Sequence, residues 1–81
     1  PFNSVVNLEY DIPKESSFSI IIFDLKGRQV FEVYNGKSGP GKYSAKWMGR
    51  NTFGADAPAG MYLVQFRTNE YLKTHKVLLL K

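Results

Sequence analysis

Gly60-Met61-Tyr62-Leu63-Val64-Gln65-Phe66-Arg67-Thr68, followed by a short turn and then Tyr71 to Lys81, decides the fold of this chain. Side chains alternate between the two faces of a strand, so Tyr62, Val64 and Phe66 share one face and are directed into a core. The second arm closes on Lys76-Val77-Leu78-Leu79-Leu80-Lys81. There Val77 and Leu79 lie on one face, Leu78 and Leu80 on the other, and lysines bracket the run. A last strand that is apolar on both faces exceeds what one core requires. The two arms read as one hairpin running to the final residue.

Upstream, the same period recurs. Val6, Leu8 and Tyr10 alternate with Asn7, Glu9 and Asp11 in a first strand that Pro13 ends, and Phe18, Ile20 and Ile22 mark a second. Asp24-Leu25-Lys26-Gly27-Arg28 is a glycine-containing connection into a third strand, Gln29 to Tyr34, which folds back antiparallel on the second. Asn35 to Gly41 reads as loop, Tyr43, Ala45 and Trp47 as a fourth strand, and Gly49 to Gly60 as a second long loop. No apolar period of 3.6 extends over three turns, so no substantial helix is expected. Roughly six strands with turn signals about every 8–12 residues define an all-β sandwich.

With 81 residues, 43% hydrophobic and 15% aromatic, the chain is expected to fold as a single domain over residues 1–81 around a small core. It has no cysteine, which removes disulfides, thiolate metal sites and a cysteine nucleophile. The eleven basic residues give a net charge of +4, yet they are spread from Lys14 to Lys81 without a run of three. Phosphate tracking needs clustered cations, so this charge reads as solvation and not as nucleic-acid binding. No apolar stretch approaches the roughly 20 residues that span a bilayer as a helix. A start at Pro1-Phe2-Asn3-Ser4 without Met is expected of a domain excised from a larger protein.

The search for chemistry is short. His75 is the only histidine, placed in the last strand as a surface or edge imidazole. Glu9, Asp11, Glu15, Asp24, Glu32, Asp56 and Glu70 fall on outward strand positions or turns, and a small sandwich rarely sets two carboxylates across a cleft. Calcium needs several carboxylates, and Asp56 is the only acid between Glu32 and Glu70. No catalytic residue, cofactor or metal is therefore expected.

Pro1-Phe2-Asn3, Glu9-Tyr10-Asp11-Ile12-Pro13, Ile22-Phe23-Asp24-Leu25-Lys26-Gly27-Arg28-Gln29-Val30, Gly41-Lys42-Tyr43-Ser44-Ala45-Lys46-Trp47, Pro58-Ala59-Gly60-Met61-Tyr62 and the Lys76 to Lys81 ending occur in this order. In this register the chain resembles the C-terminal sorting domains of type IX (Por) secretion cargo, a family similar to the Ig-like domain of flagellar hook-capping proteins. The resemblance implies an Ig-like antiparallel β-sandwich of about seven strands at the end of a larger secreted protein. It further implies recognition by the outer-membrane translocon and export to the medium or cell surface. Removal by a sortase-like peptidase, or attachment at the surface, would follow. The domain would be a substrate of that machinery, not an enzyme.

By position, the signal residues that the resemblance implies are Gly60 and Tyr62 in the penultimate strand and Lys76, Val77, Leu79 and Lys81 in the last. The physical reading of the tail adds Leu78 and Leu80, because an exposed final strand can extend another sheet while flanking lysines limit aggregation. Such a strand also allows two copies to pair as a homodimer. The plainer roles are core packing for Val77 and Leu79 and a turn of positive φ for Gly60. One departure stands out: the family commonly carries Asp after the tryptophan and again near Asn51, where this chain has Trp47-Met48-Gly49-Arg50-Asn51. That weakens any oxygen-ligand or turn-capping role there.

Two other readings fit a small sandwich, a carbohydrate-binding module and a structural Ig-like spacer. The alternation assigns Tyr43, Trp47, Tyr62 and Phe66 to the core. Phe31, Tyr34, Phe53 and Tyr71 are the aromatics left for a sugar-binding patch.

Overall fold

The computed structural model describes residues 5–70 and 72–80. Within them lie the strands β1 (Val6–Ile12), β2 (Ser16–Phe23), β3 (Gln29–Ser38), β4 (Gly41–Trp47), β5 (Gly60–Thr68) and β6 (Leu72–Leu79). They form a two-stranded sheet, β1-β4, and a four-stranded sheet in the order β3-β2-β5-β6. All pairings are antiparallel, and the two sheets face each other as a sandwich. The all-β reading holds. The alternation count of six matches the described strands, where the resemblance implied about seven.

Alternation places the core. Ile20 and Ile22 of β2, Val64 of β5 and Leu79 of β6 are wholly enclosed, and Trp47 of β4 closes over them from the smaller sheet. Burying side chains of this size contributes about 1.5–3 kcal/mol each, which is how a small chain without disulfides offsets its ordering entropy. The polar tips of the buried Trp47 and the half-buried Tyr43 each have a backbone acceptor. Trp47 Nε1–H donates to the Arg50 carbonyl at 2.9 Å, and the Tyr43 hydroxyl donates to the Gly39 carbonyl at 2.7 Å. Among the described residues no buried side-chain nitrogen or oxygen lacks a hydrogen bond.

Two expectations from sequence need correction. The segment Asn35 to Ser38 continues β3, pairing with Ser19 through Ser16, so only Gly39 and Pro40 separate β3 from β4. Glycine does not end the strand at 36 because the ring of Tyr34 lies across it. A Cβ at Gly36 would sit 3.2 Å from the Tyr34 hydroxyl, which is shared with the Lys37 carbonyl and the Ser38 hydroxyl. The register of β3 against β2 also shifts between Ile20 and Ile21 and again between Ile22 and Phe23, so β3 is a bulged edge.

The second correction concerns Asn51. Its side-chain oxygen accepts from the amides of Phe53 and Ala55, while the Asn51 amide donates to the Ala55 carbonyl and the Gly54 amide to the Asn51 carbonyl. A carboxamide therefore caps the turn as a carboxylate would. The β2–β3 connection repeats this arrangement: Asp24 Oδ1 accepts from the amides of Lys26 and Arg28, Asp24 N–H donates to the Arg28 carbonyl, and Gly27 N–H donates to the Asp24 carbonyl. Gly27 and Gly54 take φ of 86° and 82° at matching places, where a side chain would be strained. The two turns lie side by side, joined by the Thr52 amide and hydroxyl, which both donate to the Val30 carbonyl.

The Arg28 amide hydrogen bond, helped by the Arg28 guanidinium and the Lys26 amide and opposed by desolvation, holds the Asp24 carboxyl below the usual carboxylate range. The contribution of this turn to stability is thus fully present above the unfolded value of about 3.9 and is lost as pH falls through the lower folded value. Asp24→Asn keeps an acceptor oxygen but removes the charge. Thermal unfolding followed from neutral pH into the acid range should show a shallower acid decline for this variant than for the parent; parallel declines would deny Asp24 that role.

Candidate functional site

The four-stranded sheet has two edges, and they differ. β3 is interrupted by bulges, the usual protection of an edge against unwanted pairing. β6 is straight: Gly60 pairs with Leu79 and the register runs unbroken to Arg67 with Leu72. No described strand pairs along its other side. Its side chains from Leu72 to Lys76 are exposed.

At the chain-terminal end of β6 the outer face is apolar. Leu78 is 53% exposed and Leu80 62% exposed, whereas Leu79 is fully enclosed and Val77 packs against the core. Across the sheet Leu78 lies beside Met61, and Leu63 lies between Lys76 and Phe23. Met61 is 40% exposed, and Ile21, Phe23 and Leu63 are half-buried. The other half of this face carries Ser17, Ser19, Gln65, Arg67 and Thr74, with the exposed Leu72 beside Arg67. The result is an apolar patch beside a strand edge along which no other described strand pairs, the kind of surface from which a partner's strand can extend a sheet. Alternation alone had singled out Leu78 and Leu80. The runs Ile20-Ile21-Ile22-Phe23 and Met61-Tyr62-Leu63-Val64, apolar at consecutive positions, were the signal for the rest of the patch.

The remaining candidates sit behind that surface. Tyr62 is buried, its ring edge-on to Trp47 with centroids 5.0 Å apart, and its hydroxyl donates to the Pro58 carbonyl four residues upstream. Tyr43 ties back to Gly39 over the same interval, and such tyrosine corners fix the turn entering a strand of an Ig-like sandwich. Burial, then the nearby Asp24 charge, pushes the Tyr62 hydroxyl above the usual phenol range, so it stays a donor at neutral pH. Gly60 lets the chain turn into this corner with φ of 145°, a conformation nearly confined to glycine. A Cβ there meets no atom within 4 Å, so the cost of substitution is backbone strain and not collision. Gly60→Ala should lose about 1–3 kcal/mol in urea unfolding, and a loss within error of zero would remove the strain argument.

Lys76 is exposed, with its neighbours Leu63 and Leu78 on the same face. Lys81 and Tyr71 lie outside the described residues, as does the Pro1-Phe2-Asn3 motif. His75 is exposed on β6 with its ring edge-on to Phe66 at 5.6 Å. Among the described residues no cluster of three or more His, Asp or Glu could hold a metal ion, and no helix is long and apolar enough to cross a membrane. Phe31 and Tyr34 pack on the core, Tyr34 against Phe18 at 5.6 Å, so they do not join Phe53 in a sugar-binding patch.

The chain is a compact sandwich with closed tyrosine corners, one bulged sheet edge and one straight one. The particular family follows from comparison: the model of the secretion system C-terminal sorting domain matches residues 1–80. The chain belongs to this family of type IX sorting domains, which implies a cargo protein and passage across the outer membrane. Searches of characterised proteins and of solved structures return no match.

Proposed function

We propose that this chain is the non-catalytic C-terminal sorting portion of a larger cargo protein, and that the type IX translocon reads the β6 edge, along which no other described strand pairs. In this reading Lys76, Leu78, Leu80 and Lys81 make the contact, with Met61 and Leu63 extending it. Gly60, Tyr62, Val77 and Leu79 hold that strand in place from behind. The observation that carries the reading is the contrast between edges, since β3 is bulged while β6 is straight and flanked by exposed leucines. Backbone pairing supplies affinity in strand addition, and side chains at alternate positions supply specificity. The same edge allows transient pairing of two copies before export. Cleavage by a sortase-like peptidase upstream of the sandwich, or attachment at the surface, then ends the domain's task.

The test is to place the chain at the C-terminus of a periplasmically targeted fluorescent protein in a bacterium with a type IX system. Extracellular fluorescence is compared with and without Lys76→Ala and Lys81→Ala. Export of the fusion that falls with the double change, at an unaltered thermal midpoint, supports the reading. Retention of both folded fusions in the periplasm rejects it.

A further inference from the structure

At the end of the sandwich where the twin turns meet, a cavity of about 390 Å³ opens, within the roughly 300–1,000 Å³ range of small-molecule sites. Tyr62, Ala57 and Pro58 line its apolar part, and Arg28, Gln29, Thr52 and Asp56 contribute polar groups. Phe53 stands beside it with 93% of its surface exposed, the most exposed large apolar side chain among the described residues. We propose that this cavity is a binding site for an uncharged pyranose of an extracellular or surface polysaccharide, with Phe53 as the stacking platform.

Three observations select that ligand. The charges around the cavity are already compensated, Arg28 with Asp24 at 3.1 Å and Arg50 with Asp56 at 4.0 Å, so neither an anion nor a cation finds an excess of opposite charge. The same balance disfavours an anionic lipid surface, which needs surplus cations beside the apolar residue. Three rim amides are already engaged, Thr52 N–H with the Val30 carbonyl, Asn51 N–H with Ala55 and Ala57 N–H with Gly49, and the strand edge beside them, β3, is bulged and so poorly suited to peptide addition. An exposed ring next to amide, hydroxyl and carboxylate groups instead matches the two sides of a pyranose, its apolar C–H face and its equatorial hydroxyls. Because side-chain caps and positive-φ glycines fix both turns, binding orders little of the protein. The site lies at the Gly60–Tyr62 corner and is independent of export by the β6 edge.

The test uses the whole chain and soluble hexasaccharides of glucose, xylose, mannose and N-acetylglucosamine, each titrated separately while amide NMR spectra are recorded. At least one should shift amides within 24–30 and 50–58, with a dissociation constant of about 1 mM, the range that one or two sugar rings reach. Phe53→Ala should weaken this at least about tenfold while Phe53→Trp retains it, and neither should move the thermal midpoint. Several results overturn the proposal: no localised shift with any sugar, shifts confined to other surfaces, or shifts that persist in Phe53→Ala. Phe53-dependent partition into neutral or anionic lipid vesicles without sugar binding would assign Phe53 to a membrane surface instead.

Discussion

Trp47→Ala is expected to remove about 3–5 kcal/mol of stability, the largest effect of any single truncation in this chain. Trp47 is the bulkiest of the fully enclosed side chains and the main wedge that β4 drives against the four-stranded sheet. Its loss leaves a cavity that Ile20, Ile22 and Val64 cannot close without moving β2 and β5. It also strips Tyr62 of its edge-on partner and leaves the Arg50 carbonyl without its indole donor. For a domain of this size each kcal/mol shifts the midpoint by about 4–8 °C, so the midpoint of thermal unfolding followed by circular dichroism should fall by about 12–40 °C. A loss under about 1 kcal/mol would mean that the smaller sheet contributes little to the core.

The second large effect is on export. Leu78→Asp combined with Leu80→Asp should lower extracellular delivery of a fused passenger at least about tenfold, because charges on the outer face oppose docking of an apolar strand. Both side chains are more than half exposed, so the thermal midpoint should move by only a few degrees. Leu79→Ala is the informative contrast. That side chain is fully enclosed, and its truncation should cost about 2–4 kcal/mol, so any export defect it causes goes with unfolding. If Leu79→Ala abolished export at an unchanged midpoint while the double aspartate variant exported normally, the inner face of β6 would be the one that is read, and the assignment of faces would be reversed.

Much of this was legible in the sequence. Alternation marked β1 and β4 and the inward positions of β2 and β5, because each of these strands has one face on the core. The inward positions Leu8, Phe18, Ile20, Ile22, Trp47, Tyr62, Val64 and Phe66 are buried as that alternation requires. The end of β3 was not legible. Asn35 and Gly36 are turn residues by propensity, yet they pair with Ser19 and Phe18 while the Tyr34 ring lies against Gly36. The cap at Asn51 was hidden for a related reason: a carboxamide offers backbone amides the same acceptor oxygen as a carboxylate, so the turn is capped without a charge. On the outer face the tail showed Leu78 and Leu80, whereas the consecutive apolar run at Met61 and Leu63 needed the register of β5 with β6 to place it beside them.

The claim at the centre of this account is that the β6 edge touches the translocon, and site-specific photocrosslinking during export tests it most directly. A photoreactive side chain would be placed at position 78 or 61, with position 46 on the exposed face of β4 as the control. The account predicts adducts with an outer-membrane component from positions 78 and 61 and little or none from 46. Equal labelling at all three positions, or labelling at 46 alone while the fusion is exported, would contradict it.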